Sequence, residues 1–263
     1  MIKFPDVSFL IPVRIDSDMR AKNLEYVINF ISSNFSSSIF LYEEDKKPKI
    51  PKSINKNILK KCNYKFIKNN LANDTFHKAK LLNLMAVECG SPIVGSLDSD
   101  CFMLEYCEES VKNIRSGKYD IIYPHNHCIK YNVTSPIFYK KGDTRYLKRT
   151  GRSNNNTGGL LFISVDALLR IGMWNESFDC WGGEDSEFYC RCSRLGLSMR
   201  RFPGLLYHLN HPKKEGEGFY SNHKEANKDK LKKTRVLTTK ELKEEVEKWS
   251  WVKSAKKTLN KET

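Results

Sequence analysis

The sequence predicts an α/β fold built around a mainly parallel sheet. In the first hundred residues, short apolar segments rich in β-forming residues alternate with segments whose apolar residues recur at helical spacing, which is the pattern of consecutive βαβ units. The chain has 263 residues, of which 40% are hydrophobic, enough to bury the core of one large domain. Aromatic and aliphatic residues recur along most of the chain, so disorder as an overall description is excluded.

Each predicted element rests on its local pattern. Strands are predicted where short runs of β-forming residues are bounded by polar or turn-forming residues, at 7–13, 38–42, 64–67, 92–97, 120–123 and 159–164. Helices are predicted from apolar residues at helical spacing, at 23–32, 79–88, 165–171 and 186–195. The polar and basic stretch 142–156 predicts a long exposed loop. The last forty residues predict one or two charged helices, so we expect a catalytic domain at 1–220 and a basic helical tail at 221–263.

The charge balance favours anionic partners. The chain has 45 Lys and Arg against 31 Asp and Glu, a net charge of +14, and lysines are dense from residue 224 to residue 261. Nucleic acid is disfavoured as the partner, because basic and aromatic residues are not interleaved as in single-strand binding surfaces. The sequence contains no glycine-rich dinucleotide motif after the first strand and no P-loop motif, so dehydrogenase and NTPase classes are poorly supported.

Two carboxylates follow the predicted strand at 92–97. Asp98 and Asp100 are separated by one residue, and ligands of parallel sheets collect at the carboxyl ends of strands. Carboxylate oxygens are ligands for Mg²⁺ or Mn²⁺. A solvated turn is the alternative, but small and apolar neighbours make two charges without a counterion costly here. The pattern therefore favours a metal site.

A second group of polar residues lies at the predicted start of the helix at 186–195. Paired glycines precede Glu184 and Asp185, and they allow the backbone to approach a ligand closely. Trp181 offers a flat stacking surface beside these carboxylates, which together suit a sugar site. An ordinary acidic helix start is the alternative. In the segment Tyr207-His-Leu-Asn-His211, one imidazole is suited to complete a metal shell.

These motifs occur in an order that resembles a known family. The motifs are, in order, Phe-His-Lys-Ala-Lys-Leu-Leu-Asn at 76–83, Leu-Asp-Ser-Asp at 97–100, Thr-Gly-Gly-Leu at 157–160, Trp-Gly-Gly-Glu-Asp at 181–185 and then His211. Their order and spacing resemble the catalytic domain of β-1,4-galactosyltransferases and related bacterial polysaccharide glycosyltransferases. The resemblance covers residues 7–215. It implies a GT-A fold with a mixed, mostly parallel central sheet flanked by helices, a divalent cation (Mn²⁺, or Mg²⁺), a UDP-sugar donor and inversion at the anomeric carbon.

The resemblance assigns residues to the nucleotide and the metal. Those expected at the UDP moiety are Pro12, Arg14, Phe76, Lys78 and Asp98. Asp100, the last member of the Asp-x-Asp motif, is expected to bind the metal. His211 resembles the family's further metal ligand, with His208 as a second candidate.

The resemblance also assigns residues to the two sugars. Gly159 is expected beside the donor sugar, and Trp181 between donor and acceptor. Glu184 matches an acceptor-binding acid, and Asp185 matches the catalytic base. The segment 211–219 contains two glycines and is predicted to close over the bound donor as a lid.

The sequence therefore predicts a metal-dependent inverting glycosyltransferase that moves a hexose or N-acetylhexosamine from a UDP-sugar to a glycan, lipid-linked or other hydroxyl acceptor. The alternative is a catalytically degenerate module that binds sugar or UDP without transfer. A glycosidase also uses paired carboxylates, but it needs neither the Asp-x-Asp motif nor a metal. Thermal-shift screening of UDP-sugars with Mn²⁺ separates these possibilities best.

Location and membrane contact are predicted from the two ends of the chain. The first residues lack a signal-peptide pattern and no run of about 18 apolar residues occurs, which predicts a cytoplasmic protein with reduced cysteines. Leu242, Val246, Trp249 and Val252 recur at helical spacing among lysines. Two interpretations are open: a terminal helix that packs on the catalytic domain, or an interfacial helix that contacts an anionic membrane peripherally.

Overall fold

The computed structural model describes residues 1–70, 75–180, 182–212 and 219–259. The strands in these ranges are β1 (Ile2–Val13), β2 (Phe35–Asp45), β3 (Asn63–Lys68), β4 (Ile93–Leu97), β5 (Cys101–Phe102), β6 (Ile121–Val133), β7 (Leu147–Asn154), β8 (Leu160–Ser164) and β9 (Met199–Leu209). The helices are α1 (Asp18–Asn34), α2 (Ile50–Ser53), α3 (Lys56–Leu59), α4 (Lys78–Glu88), α5 (Cys107–Arg115), α6 (Ile137–Lys141), α7 (Val165–Arg170), α8 (Glu184–Arg194), α9 (Phe219–Val236), α10 (Thr239–Lys248) and α11 (Ser250–Leu259). A short 3₁₀ turn covers Thr144–Tyr146.

All of these strands join one mixed sheet. The order is β3-β2-β1-β4-β8-β6-β9-β5, and β7 pairs with β6 outside that path. The first half is parallel throughout, because β1, β2, β3 and β4 are connected by βαβ crossovers. In the second half β8 runs antiparallel to β4 and β6, whereas β6 and β9 are parallel. The predicted α/β class with a central sheet flanked by helices is confirmed.

Two hydrophobic clusters cover the two faces of the sheet. The first joins α1 and α5 to the sheet and contains the stacked and edge-on rings of Phe4, Phe9, Phe35 and Phe162. The second joins α4, α7 and α8 to the opposite face. Burial on both faces explains why the central strand β1 reads as a nearly continuous apolar run.

Part of the second half differs from the sequence prediction. The stretch 142–156 is not a long loop, because β7 occupies most of it and pairs with β6 from His127 to Val133. This strand lies at the margin of the sheet and carries exposed basic residues such as Lys148, Arg149 and Arg152. A strand with so little buried surface has no apolar pattern to reveal it. The elements β5, α5, α6 and β9 were not predicted either.

The C-terminal region packs against the rest of the molecule. Leu242, Val246 and Val252 are buried, at 1%, 3% and 2% exposure, and α11 lies on α4 and α7. Trp251 Nε1 donates a hydrogen bond to the Gly172 carbonyl, at 3.1 Å. An apolar stripe that is buried in the fold is not available to a bilayer, so the structure favours the packed interpretation over the interfacial helix. Within the described residues, no helix is long and apolar enough to cross a membrane.

Candidate active site

The site forms where the carboxyl end of β4 meets the start of α8. Asp98 follows β4 directly, and its amide donates to the Gly159 carbonyl, at 2.9 Å, so the turn after β4 is tied to the turn before β8. Helix α8 begins at Glu184, and Gly183 caps it with φ +92°. Such a left-handed conformation favours glycine. These two turns bring residues 98 and 185 together.

Lys78 joins the carboxylates of both turns. Its Nζ lies 3.0 Å from Asp98 Oδ1, 3.2 Å from Asp185 Oδ1 and 3.8 Å from Glu184 Oε1. Lys78 is the first residue of α4, whose packing on β1 and β2 fixes the origin of the side chain. Three acidic groups thus share one ammonium, so this cluster carries an excess of negative charge.

Burial and two neighbouring carboxylates make Asp185 easy to protonate, despite the Lys78 ammonium beside it. Burial is the largest cause that raises the pKa of Asp185 to about 7; the charges of Glu184 and Asp98 act in the same direction, and Lys78 opposes them. About a third of the side chain, 31%, remains exposed, so a proton acceptor can be reached from solvent. Burial acts to lower the pKa of Lys78, but the three carboxylates hold it well above its usual value. Lys78 therefore stays charged while Asp185 titrates near neutral pH.

The two glycines of the 157–160 motif make room for this cluster. A Cβ at Gly158 would overlap Asp185 Oδ2, and a Cβ at Gly159 would overlap Leu206 of β9. Gly159 also has φ +93°. The backbone conformation at Gly159 therefore favours glycine, whereas a side chain at Gly158 would push the Asp185 carboxylate aside. The Gly159 carbonyl accepts from the Asp98 amide, and Gly158 lies against the Asp185 carboxylate. The place of Gly159 beside the donor sugar stays a prediction.

The second cluster surrounds Asp100. Its Oδ2 lies 3.3 Å from His211 Nε2 and its Oδ1 lies 3.7 Å from His208 Nε2. Burial acts to raise the pKa of Asp100, but the hydrogen bond from His211 and the charges of His208 and Arg20 hold it well below its usual range. Asp100 is 4% exposed and stays ionised at any neutral pH.

Asp100, Cys101 and His208 form a possible metal site. One ligand atom from each of these three residues lies within 4.8 Å of the other two. Burial raises the pKa of the Cys101 thiol well above its usual value, so a metal bound through this sulfur would have to displace the thiol proton. The ionised carboxylate of Asp100 and the imidazole of His208 fit a hard or borderline divalent cation.

Arg20 is a site residue that the sequence analysis did not identify. Its Nη1 lies 3.3 Å from Asp100 Oδ2, and its Nη2 lies 3.1 Å from the ring nitrogens of His211. Its Nε donates to Asp16, at 3.0 Å. Arg20 is separated from Asp100 by 80 residues and from His211 by 191, so no local pattern indicates this contact.

The residues expected at the nucleotide gather at the ends of β1 and β2. Arg14 Nε donates to the Glu44 carbonyl at 3.1 Å, and Nη2 donates to the Thr75 carbonyl at 2.7 Å. The guanidinium lies 5.6 Å from the centroid of the Phe76 ring. Pro12 is buried beside Tyr42 in the register of β1 and β2. The structure thus brings Pro12, Arg14 and Phe76 together at one end of the sheet.

Two predicted features fall outside the described residues. Trp181, expected between donor and acceptor, is one of them. Residues 213–218, most of the predicted lid, are the other. The described neighbours of Trp181 are positioned: the Gly182 amide donates to Glu184 Oε2 at 2.9 Å, and the Cys180 amide donates to the Phe76 carbonyl at 2.9 Å.

Comparison with solved structures defines the class of protein. The fold is similar to that in the crystal structure of GalNAc-T7 with UDP, GalNAc and Mn²⁺, with a TM-score of 0.60 and 13% sequence identity. The match covers 87% of this chain and 48% of that one. The chain therefore has the fold of GT-A glycosyltransferases, as the motifs predicted.

Sequence comparison adds a more particular likeness. Residues 143–215 match a family described as the N-terminal domain of galactosyltransferase, a segment that includes Gly159, Asp185 and His211. A stretch of 62 residues is 40% identical to chondroitin synthase of Escherichia coli, covering 23% of this chain and 9% of that protein. The resemblance to glycosyltransferases is thereby confirmed. The chain spans only part of both relatives, about half of one and less than a tenth of the other.

Proposed function

We propose that the protein is a metal-dependent inverting glycosyltransferase that moves a hexose or N-acetylhexosamine from a UDP-sugar to a hydroxyl of a glycan or lipid-linked acceptor. The observation that carries this proposal is the meeting of Asp98 and Asp185 on the Lys78 ammonium, at 3.0 and 3.2 Å. A donor held through the strand end that includes Asp98 would thereby lie beside the base that activates the acceptor.

The Asp100 cluster supplies the donor side of the reaction. Asp100, His208 and His211 would hold Mn²⁺, which when bound offsets the charge that develops on the UDP leaving group. Arg14 and Phe76 would border the nucleotide. The pKa of Asp100 lies well below its usual range, so the ligand is ionised throughout the pH range in which an enzyme of this kind works.

The Asp185 cluster supplies the acceptor side. Asp185, with a pKa of about 7, is matched to neutral pH as a general base, since a base is most effective when its pKa is near the operating pH. It would accept the proton of the acceptor hydroxyl as that oxygen attacks the anomeric carbon. Glu184 would bind an acceptor hydroxyl, and Trp181 would stack on a sugar ring. Direct attack on the face opposite UDP gives inversion.

Two experiments test the proposal. Thermal-shift screening of UDP-sugars with Mn²⁺ identifies the donor, because a ligand that binds only the native state raises Tm. UDP release measured with an acceptor panel then detects transfer, and the anomeric coupling constant of the product by NMR reports its configuration. A product with the donor's configuration would refute inversion. UDP-sugar binding without UDP release on any acceptor would favour the degenerate binding module instead.

A further inference from the structure

Helix α9 lies along the segment that leads into α8. Asn227 is 1% exposed, and its side-chain amide donates to the Asp179 carbonyl, at 2.9 Å. One turn further, Lys230 donates to the Ser177 carbonyl and lies 5.6 Å from the centroid of the Phe178 ring. Three consecutive residues before the acidic helix start are therefore in contact with α9.

A hydrogen bond to a buried ion pair of α8 attaches the other end of the same region to α9. Glu187 and Arg191 of α8 are 1% and 0% exposed, and their side chains pair at 2.8 and 3.0 Å. Thr234 of α9 donates to Glu187 Oε1 at 3.0 Å, and the Arg191 guanidinium lies 5.0 Å from the centroid of the Trp249 ring. The ion pair lies within α8, so the hydrogen bond from Thr234 to Glu187 is the contact that ties this part of α8 to α9.

The backbone between these two attachments cannot hold its shape alone. Gly182 and Gly183 have φ +117° and +92°, and glycine has the greatest backbone freedom of any residue. Gly183 faces the backbone of Asn227, whose carbonyl oxygen would lie 3.6 Å from a Cβ at that position. Support from outside the segment is therefore needed, and α9 gives part of it, alongside the Phe76 carbonyl that accepts from the Cys180 amide.

We propose that the C-terminal helices are a working part of the active site, with Asn227 and Thr234 acting as positioning residues that hold Glu184 and Asp185 in place. The proposal rests on the function proposed above and extends it to residues outside the matched segment 143–215. The tail thus bears most directly on acceptor activation. It reaches the nucleotide side at second hand, through the hydrogen bond from the Cys180 amide to the Phe76 carbonyl.

The test compares Asn227→Ala and Thr234→Val with Lys228→Ala in the full chain. Lys228 lies on the same helix and is exposed, so its variant controls for a general effect on α9. Hydrogen–deuterium exchange of peptides from 176–187 measures how readily the backbone amides of this segment open to solvent. We expect faster exchange there in Asn227→Ala and Thr234→Val, and wild-type exchange in Lys228→Ala. Thr234→Val keeps the side-chain shape, so it remains informative if Asn227→Ala does not fold.

Kinetics separates positioning from a general loss of stability. We expect kcat/KM for the acceptor to fall in both variants, by up to about a hundredfold, the scale of a misplacement by about 1 Å, with a much smaller change in Mn²⁺-UDP affinity by calorimetry. The pH of half-maximal rate should also fall. Asp185 is faced by Lys78 of α4, Asp98 after β4, Glu184 of α8 and Tyr123 of β6, and a loosened segment admits water that favours the ionised carboxylate.

Two results would overturn the inference: wild-type exchange in 176–187 in both variants, or an acceptor effect matched by an equal loss of UDP affinity. Failure of the proposed function is distinguishable from either. In that case the wild-type protein would release no UDP on any acceptor, while the exchange comparison would still decide whether α9 holds the segment.

Discussion

Burial makes both Asp100 and Asp185 harder to ionise, yet their pKa values are shifted in opposite directions from the ordinary value. Asp100 is surrounded by His208, His211 and Arg20, and its pKa lies well below the usual range. Asp185 shares one ammonium with two other carboxylates, and its pKa is about 7. Around Asp100 the hydrogen bond from His211 and the neighbouring positive charges outweigh burial, whereas around Asp185 burial is the largest effect and Lys78 only partly opposes it. The difference assigns one carboxylate to permanent ionisation and the other to proton exchange.

That contrast divides the proposed reaction between two places. A ligand for a cation must be ionised at all times, whereas a general base must lose and gain a proton near the working pH. Both environments are made by residues far apart in the sequence. The contrast can be tested by removing each aspartate and then by changing the charges around Asp185.

The largest effect is expected from Asp185→Asn, which removes the base and keeps the shape. Transfer should fall about a hundredfold or more, the scale of losing a general base, while Mn²⁺-UDP affinity stays at the wild-type value. Steady-state UDP release and calorimetry measure the two quantities. Asp166→Asn is the matched control, because Asp166 also lies in the first turn of a helix but is exposed. Turnover near the wild-type rate would place the base elsewhere.

Asp100→Asn should act on the metal rather than on the proton. Since even residues that only support metal ligands change affinity by about 10 to 100-fold, we expect Mn²⁺ to bind at least that much more weakly in the presence of UDP. Calorimetry with Mn²⁺ as titrant measures this. Asp18→Asn, at an exposed position in α1, should leave the affinity unchanged. Equal Mn²⁺ affinity in Asp100→Asn and wild type would remove Asp100 from the metal site.

Lys78→Met should widen the difference in pKa between Asp100 and Asp185, because it removes the positive charge beside Asp185. Without that charge, the pKa of Asp185 should rise above 7, because Lys78 opposes the effect of burial. The rising limb of the pH–activity profile should move by about one unit to higher pH, as expected when an opposite charge within 4–6 Å is lost. Lys80→Met, on the exposed face of α4, should leave the limb in place. A limb that does not move would mean that Asp185 does not control it.

The smallest effect concerns stability. A carboxyl group whose folded pKa is about 7, against an ordinary value of 3.8, contributes stability below the ordinary value that is lost as the pH rises through 7. Asn does not titrate, so the Tm of Asp185→Asn relative to wild type should increase from pH 5 to pH 8. We expect a gain of about 2 °C at pH 8, the scale of about 1 kcal/mol in a chain of this size. A Tm difference that is the same at both pH values would contradict the raised pKa.

The sequence predicted the parts of the site that depend on local chemistry. Asp98 and Asp100 follow an apolar strand, and Glu184 and Asp185 follow paired glycines, so each pair could be assigned to a strand end or a helix start from a few residues. Their meeting on Lys78 follows from the fold rather than from either motif. The roles assigned to these residues from the family resemblance remain predictions.

Other parts could not be predicted, for physical reasons that differ. Strand β9 contains Pro203 and two arginines, and its burial depends on pairing with β6 rather than on its own composition. Strand β7 is polar because most of its side chains face solvent. The contact of Arg20 with Asp100 needs α1 and β4 to be in place together, which no pattern of neighbouring residues encodes.

The sheet order has a consequence for how the chain folds. Strand β5 lies at the far end of the sheet and pairs only with β9, as Cys101 with His208, so more than a hundred residues must be synthesised before Asp100 can meet His208. The parallel strands β1 to β4 can assemble much earlier, leaving β4 as an unpaired edge until β8 arrives. Contacts so distant in sequence form slowly, and exposed strand edges promote aggregation in the meantime. Chaperone assistance that covers the β4 edge until β8 pairs with it should therefore raise the yield of folded protein.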